Sequence, residues 1–465
     1  MDHQPNLLLI MTDQHRGDSL SLEGHPAVLT PNLDAIGSQG AHFRRAYATC
    51  PSCIPSRRVL LTGKHPAPSG LAGFHNHPLT GLTLPQALHD AGYQAALVGR
   101  TMHQYPGTKR YGYDQMRHGS TYDPYDVYGH WLAEQVPGTG GVRSAGISHN
   151  GWTALPWPHA DHLHPTAWIA REGQAFLKYE RDESCPLFLT LSFYAPHPPL
   201  IPPAFYLDRY LRIPLPEPYL GDWATPPEHH LVDSARVNLT GEALRSARAG
   251  YYGLINHIDD QLYWFLVEFM RMSAREGREW LIVFTSDHGE MLGDHYYFRK
   301  CEPYEGSARV PLLIRGSNGL NLPAGFTSEA PVCLEDIMPT MLEAAGVPAP
   351  TDLDGRSLLP LIRGECERVR ELLHSEHSPC YSEAQAFHAL TDGRWKYIWR
   401  PFTGAEQLFD LAEDPGECQD LSAADPEATG HWRRQLLERL RDRPEGFTDG
   451  ERLVMPSSYP GIMPD

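Results

Sequence analysis

Long apolar runs are missing from this 465-residue chain. No window approaches the roughly 20 apolar residues that a membrane-spanning helix needs. The N-terminus, Met1-Asp2-His3-Gln4-Pro5, has no basic region ahead of its short apolar stretch. It therefore reads as a strand rather than a secretory leader, and a cytoplasmic location is expected. Cysteine is sparse: eight residues are scattered along the chain, which does not fit a disulfide-stapled scaffold. Basic charge is also short, with 39 Lys and Arg against 57 Asp and Glu and a formal net charge of −18. Such a surface disfavours nucleic acid and anionic membrane as partners. What remains is a chain with 41% hydrophobic and 10% aromatic residues, ample for one large domain and a smaller one.

Four apolar runs dominate what is there: Asn6 to Thr12, Ala95 to Val98, Leu187 to Phe193 and Trp280 to Ser286. Each is short, continuous and bounded by polar residues, as expected of strands buried in a parallel sheet. Each also runs into chemistry: Asp13-Gln14, Thr101 and His103, His197, and Asp287-His288. Parallel strands would bring those ends to one edge, where functional groups gather in open α/β sheets. Helices are expected from Pro31 (capped by Thr30), over 84–91, 165–179, 242–273, 334–346 and 427–440. The aromatics of the 242–273 helix recur at helical spacing and read as core.

Residues 104–165 and 200–240 are rich in Gly and Pro with little periodicity, and the first is expected to form one wall of a pocket. Its histidines (His149, His159, His162, His164) lack ligand spacing and read as surface residues. From about Glu371 the pattern changes to a hairpin, Phe387–Leu390 and Trp395–Trp399 around Asp392-Gly393. The expected organisation is a catalytic domain over 1–370 and an α+β subdomain over 371–465 with a small antiparallel sheet and a helix.

The most informative stretch is CPSCIPSRRVLLTGKHP, from Cys50 to Pro66. Pro55 suits a first helical turn, where its missing N–H costs nothing, and Gly63 ends the helix. Cys53 then lies just before a helix N-terminus, a place that favours negative charge, with Arg57 about one turn on. Cys50 and Cys53 also form a CxxC, open to a redox or zinc reading, but no second metal-site pair follows it.

Cys53-Ile54-Pro55-Ser56-Arg57 followed by Thr62-Gly63-Lys64 resembles the signature of the type I sulfatases of the alkaline phosphatase superfamily. Phosphonate monoester and phosphodiester hydrolases of the same branch share it. Ser286-Asp287-His288-Gly289 running on to Gly293-Asp294-His295 and Lys300 resembles the family's second signature, and Pro196-His197-Pro198-Pro199 its P-H-x-P element. The resemblance implies a large mixed, mostly parallel sheet flanked by helices, and hydrolysis of sulfate esters through a covalent sulfo-enzyme intermediate. It implies that Cys53 is oxidised by a maturation enzyme to formylglycine, whose hydrate is the nucleophile and can expel sulfate by re-forming the aldehyde. It further implies one divalent cation on Asp13, Gln14, modified Cys53, Asp287 and His288. Ca²⁺ is the first candidate, with Mn²⁺ and Mg²⁺ as others. Arg57 and Lys300 would neutralise charge on the sulfuryl oxygens, and His103 or His197 would protonate the leaving oxygen.

The chain departs from the family at Gly99-Arg100-Thr101-Met102-His103, where sulfatases usually carry G-K-x-H. Arg100 or Thr101 stands in for the lysine, and together with Asn76 these are the expected substrate-binding residues. The missing lysine, Gln14, Asn76 and His288 favour the alternative, a phosphonate monoester or phosphodiester hydrolase using the same site. A third reading, an unmodified Cys53 in an anion-binding or inactive member of the fold, stays open. A homo-oligomer is compatible with all three.

Overall fold

In the computed structural model, which describes residues 4–121, 123 and 126–463, the architecture is three-layered. Its centre is an eight-stranded sheet of β1 (Asn6–Asp13), β2 (Ala41–Phe43), β3 (Gln94–Gly99), β4 (Gln115–His118), β5 (Leu187–Pro196), β6 (Trp280–Ser286), β7 (Leu312–Gly316) and β8 (Phe326–Ser328). The order is β4-β3-β5-β1-β6-β7-β2-β8. Only β7 runs against its neighbours. The sheet is therefore mixed and mostly parallel, as expected.

β1 is the axis, paired in parallel with β5 on one side and β6 on the other. Its side chains alternate between faces, and both faces are covered. Leu8 and Ile10 enter one core with α1 (Pro31–Ser38), α4 (Val127–Gln135), α5 (Pro165–Tyr179), α6 (Ala204–Leu211) and α7 (Gly241–Arg275). Leu7, Leu9 and Met11 enter the other with α2 (Cys53–Thr62), α3 (Leu84–Asp90) and α8 (Ile337–Ala345). Truncating one of these leucines to alanine costs about 2–5 kcal/mol, because neither face can collapse to fill the void. The expected core stripe of α7, including Tyr252, Ile255, Ile258, Leu262, Phe265 and Phe269, is fully buried.

Local expectations differ from the structure at both helix starts. Thr30 does flank α1, but its hydroxyl accepts from Ser21 N at 2.8 Å and donates to Asp34 at 2.9 Å. The helix N–H groups of Asn32 and Leu33 are capped instead by Asp259 of α7, at 3.1 and 2.8 Å. A remote carboxylate serves the cap as well as a local hydroxyl does. α2 begins at Cys53 itself rather than after it, and Gly63 closes it in the left-handed region at φ 63°. The stretch 104–165 holds β4 and α4, and 200–240 holds α6. Of its histidines, His164 is buried and caps α5 by accepting from Thr166 N at 3.1 Å, so the surface reading fails there.

The C-terminal region is a four-stranded antiparallel sheet, β9 (Leu373–His377), β10 (Phe387–Thr391), β11 (Trp395–Trp399) and β12 (Glu406–Asp410), in sequential order. β10 and β11 form the expected hairpin. Trp432, Leu436 and Leu440 of α9 (Pro426–Leu440) pack on this sheet against Leu390, Tyr397 and Trp399. The subdomain is fastened beside α2: Glu376 N donates to Thr49 O at 2.8 Å, and Ser52 Oγ pairs with His377 Nε2 at 2.8 Å. Among the described residues no helix is long and apolar enough to cross a membrane.

Candidate active site

The site forms where the sheet's carboxyl edge meets the start of α2. Backbone bonds tie the strand ends together: Asp287 N donates to Thr12 O at 3.3 Å, His197 N to Asp13 O at 3.1 Å, and Arg100 N to Ser192 O at 2.7 Å. Gly99 makes the last of these approaches possible. It sits at φ 107°, and a Cβ there would collide with the Ser192 carbonyl. Lys300 arrives on the loop after β6, which Cys301 N anchors to Pro51 O at 2.9 Å. Gln14, His103, Arg299 and Cys301 all have positive φ, at 70°, 54°, 72° and 69°. Non-glycine residues adopt that region at a cost of about 1–3 kcal/mol each, so strain is concentrated around this pocket.

Cys53 is at the centre. Its Sγ lies 3.2 Å from His288 Nε2, 3.2 Å from Lys300 Nζ and 3.7 Å from Asp13 Oδ1. The Lys300 ammonium directs its donors to Cys53 Sγ, to Gln14 Oε1 at 2.9 Å and to His197 Nε2 at 3.0 Å. His197 receives that proton as the tautomer whose Nδ1–H donates to Pro198 O at 2.7 Å. The His288 Nδ1–H is likewise fixed on Gly289 O at 2.8 Å, which turns Nε2 toward Asp13 and Asp287 at 3.8 and 3.6 Å. Arg57, fully buried, joins the two carboxylates: Nε to Asp287 Oδ2 at 2.8 Å and Nη2 to Asp13 Oδ2 at 3.2 Å. Arg100 pairs with Asp13 as well and lies over the Tyr194 ring, 4.8 Å from its centroid.

The charges act on one another. Burial would raise the Asp13 carboxyl, but Arg100, His197, Arg57 and Lys300 hold it well below the usual range. Burial and Asp13 push the Cys53 thiol up, and Lys300 and His288 outweigh them, so it is lowered overall. Burial, then neighbouring cations, keep His103 and His197 well below an ordinary histidine. Two neutral imidazoles beside a nucleophile are placed to accept protons.

Above Cys53 opens a cavity of ≈ 430 Å³, of a size that holds a small molecule. Cys53, Arg100, His103, His197 and Lys300 all line it. Other expected residues do not. Arg57 lies beneath the floor, bound to both carboxylates. Thr101 offers its carbonyl to Arg57 at 3.2 Å rather than a hydroxyl to the cavity. Asn76 is exposed on a loop whose Phe74 reaches the cavity instead. The segment expected to form a wall contributes Arg143, His149 and Asn150. The remaining wall, Arg299, Cys380 and Tyr381, was not expected from the sequence. None of these residues lies in a periodic pattern, and Arg299 alone had a signal, its adjacency to Lys300.

Residues 5–347 match the sulfatase family, and residues 293–445 match the family described as N-sulphoglucosamine sulphohydrolase, C-terminal. The chain belongs to the sulfatase family. It is 36% identical to an arylsulfatase of Clostridium perfringens, over 98% of each chain. It is 30% identical to a choline-sulfatase of Rhizobium meliloti, over 90% of this chain and 82% of the other. Its fold superposes on the phosphonate monoester hydrolase of Agrobacterium radiobacter with a TM-score of 0.80 at 27% identity, covering 94% and 96% of the two chains. This sulfatase accordingly has the alkaline phosphatase-like architecture and is a hydrolase of sulfate esters.

The donor set of the site fits a metal ion. Asp13, Cys53, Asp287 and His288 each offer one atom, and those atoms lie within 4.8 Å of one another. Burial would lower the His288 ring, but Asp287 and Cys53 raise it, and the negative charge that does so is what a divalent cation would take up. The fixed Nδ1–H of His288 is the second contact that orients a ligating imidazole.

Proposed function

We propose that this sulfatase cleaves small sulfate monoesters at Cys53, matured to formylglycine, beside one divalent cation held by Asp13, Gln14, Asp287 and His288. The observation that carries this reading is the placing of Cys53 Sγ, 3.2 Å from both Lys300 Nζ and His288 Nε2 and at the floor of a cationic cavity. Formylglycine would supply the attacking oxygen, and the cation would lower that oxygen's pKa and polarise the ester. Two carboxylates with an amide and an imidazole suit Ca²⁺, with Mn²⁺ or Mg²⁺ as alternatives.

The protein's own groups do the rest. Lys300 and Arg100 face the cavity and hold the sulfuryl oxygens as charge grows there. His197 shares a proton with Lys300 and is placed to pass one to the leaving oxygen. His103, neutral beside Arg100 at 3.2 Å, is placed to take a proton when sulfate is expelled. Arg57 positions both carboxylates and does not touch substrate.

A second reading has its own support. The fold similarity to a phosphonate monoester hydrolase and the arginine where a lysine is usual favour phosphonate esters. The test is kcat/KM of the matured enzyme for 4-nitrophenyl sulfate against 4-nitrophenyl phenylphosphonate. A preference for the sulfate is expected, and a clear preference for the phosphonate reverses the assignment.

A further inference from the structure

The cavity holds more positive charge than one sulfate needs. Besides Arg100 and Lys300 at its floor, Arg143 and Arg299 line its wall, and among the described residues no Asp or Glu lines it. That wall belongs to a chain with a net charge of −18, so the cations are a local departure from the whole. Arg299 is held for display. Its backbone sits at φ 72°, its Nε donates to Asn150 O at 3.0 Å, and its guanidinium carbon lies 5.4 Å from the centroid of the Tyr381 ring. Among the described residues its Nη2 is buried without a hydrogen-bond partner, and so is His149 Nδ1 on the same wall. Buried donors left unsatisfied are rare and costly, and a ligand acceptor relieves that cost. Phe74 and Tyr381, 43% and 44% exposed, add two aromatic rings to the lining.

We propose that the preferred substrate is a dianion: an aromatic sulfate ester that bears a carboxylate across the ring from the scissile sulfate. Arg299 is the specificity-determining residue. The sulfate sits over Cys53, the ring lies against Phe74 and Tyr381, and the carboxylate accepts from Arg299 Nη2 with His149 beside it. A planar guanidinium with a free donor matches a carboxylate in plane, which an ammonium does not do. The same wall opposes a cationic organic half such as choline, which would meet the Arg299 guanidinium.

This inference rests on the sulfatase reading, and one experiment separates them. Matured enzyme and its Arg299→Gln and Arg299→Lys variants are assayed on 4-carboxyphenyl sulfate, 4-carbamoylphenyl sulfate and choline sulfate. The acid and the amide share a shape, so differences in leaving-group reactivity cancel when the variant's acid-to-amide ratio is divided by that of the wild type. The ratio of kcat/KM is expected to fall about tenfold to a hundredfold in Arg299→Gln, with partial recovery in Arg299→Lys. Turnover of the amide with no preference for the acid overturns the second anion site alone. So does a preference that Arg299→Gln leaves in place, or faster turnover of choline sulfate than of the acid. No turnover of any of the three sulfates overturns the sulfatase reading, and the inference with it.

Discussion

Asp13 and Glu376 are both buried carboxylates held among cations, and only one belongs to a site. Glu376 is closed. Arg443 grips it with two bonds of 3.0 and 2.8 Å, and Tyr459 donates a third at 2.5 Å. Burial would raise its carboxyl, but Arg443, His374 and His388 hold it below the usual range. Asp13 is also depressed but differently satisfied. Arg57 and Arg100 pair with its Oδ2, while Oδ1 faces Cys53 at 3.7 Å and His288 at 3.8 Å, and the charges around it face a cavity. A depressed carboxyl is therefore not in itself a mark of function. What distinguishes the site is a carboxylate oxygen held only at long range beside a cavity.

The comparison breaks most visibly under substitution. Asp13→Asn is expected to lower kcat/KM for 4-nitrophenyl sulfate by about 10³-fold or more, with metal content falling and the thermal midpoint falling too, since two buried arginines lose a partner carboxylate. Steady-state kinetics, elemental analysis and a melting curve check it together. Lys300→Met should lower kcat by about 10²-fold or more, since one cation is lost where charge develops. Glu376→Gln is expected to do the reverse. Arg443 loses one of its two partner carboxylates and keeps Glu445 at 3.0 Å, which costs about 1–3 kcal/mol of stability in denaturant titration, while turnover per folded molecule persists. If Glu376→Gln abolished turnover in folded protein, the division between the two carboxylates would be wrong.

A smaller effect sharpens it through pH. His388, stacked among Trp399, Phe447 and Tyr459, is lowered by burial to about 3, and His257 likewise to about 3. Each is neutral when folded and protonates near its ordinary value of 6.5 when unfolded. The unfolded state thus binds more protons below that value. Their stabilising contribution is complete above about pH 6.5 and is lost progressively as pH falls toward 3. Unfolding free energy measured from pH 7 to 5 should decline, and His388→Phe should flatten the decline.

The strands that carry the chemistry were legible because they are unbroken apolar runs. β1, β5 and β6 sit inside the sheet with both faces covered, so hydrophobicity alone marks them. β2, β4, β7 and β8 span only three to five residues and lie toward the sheet's margins, where such a signal fades. The same split runs through the site. Asp13, His197, Asp287 and His288 follow strands and can be located by that fact. Arg143, His149 and Tyr381 come from irregular segments 230 residues and more apart in the case of His149 and Tyr381. Their meeting is a product of packing between the catalytic sheet and the C-terminal subdomain, which no local pattern encodes. The cap on α1 shows the same logic, since Asp259 lies 226 residues from the N–H of Leu33 that it serves.

The most direct test is the mass of the tryptic peptide carrying Cys53, from protein made in its native host, read alongside turnover of an aryl sulfate by the same sample. Replacement of the thiol by an aldehyde, with the loss of one sulfur and two hydrogens and the gain of one oxygen, should track activity from batch to batch. Full activity on a peptide that retains its sulfur would contradict the account.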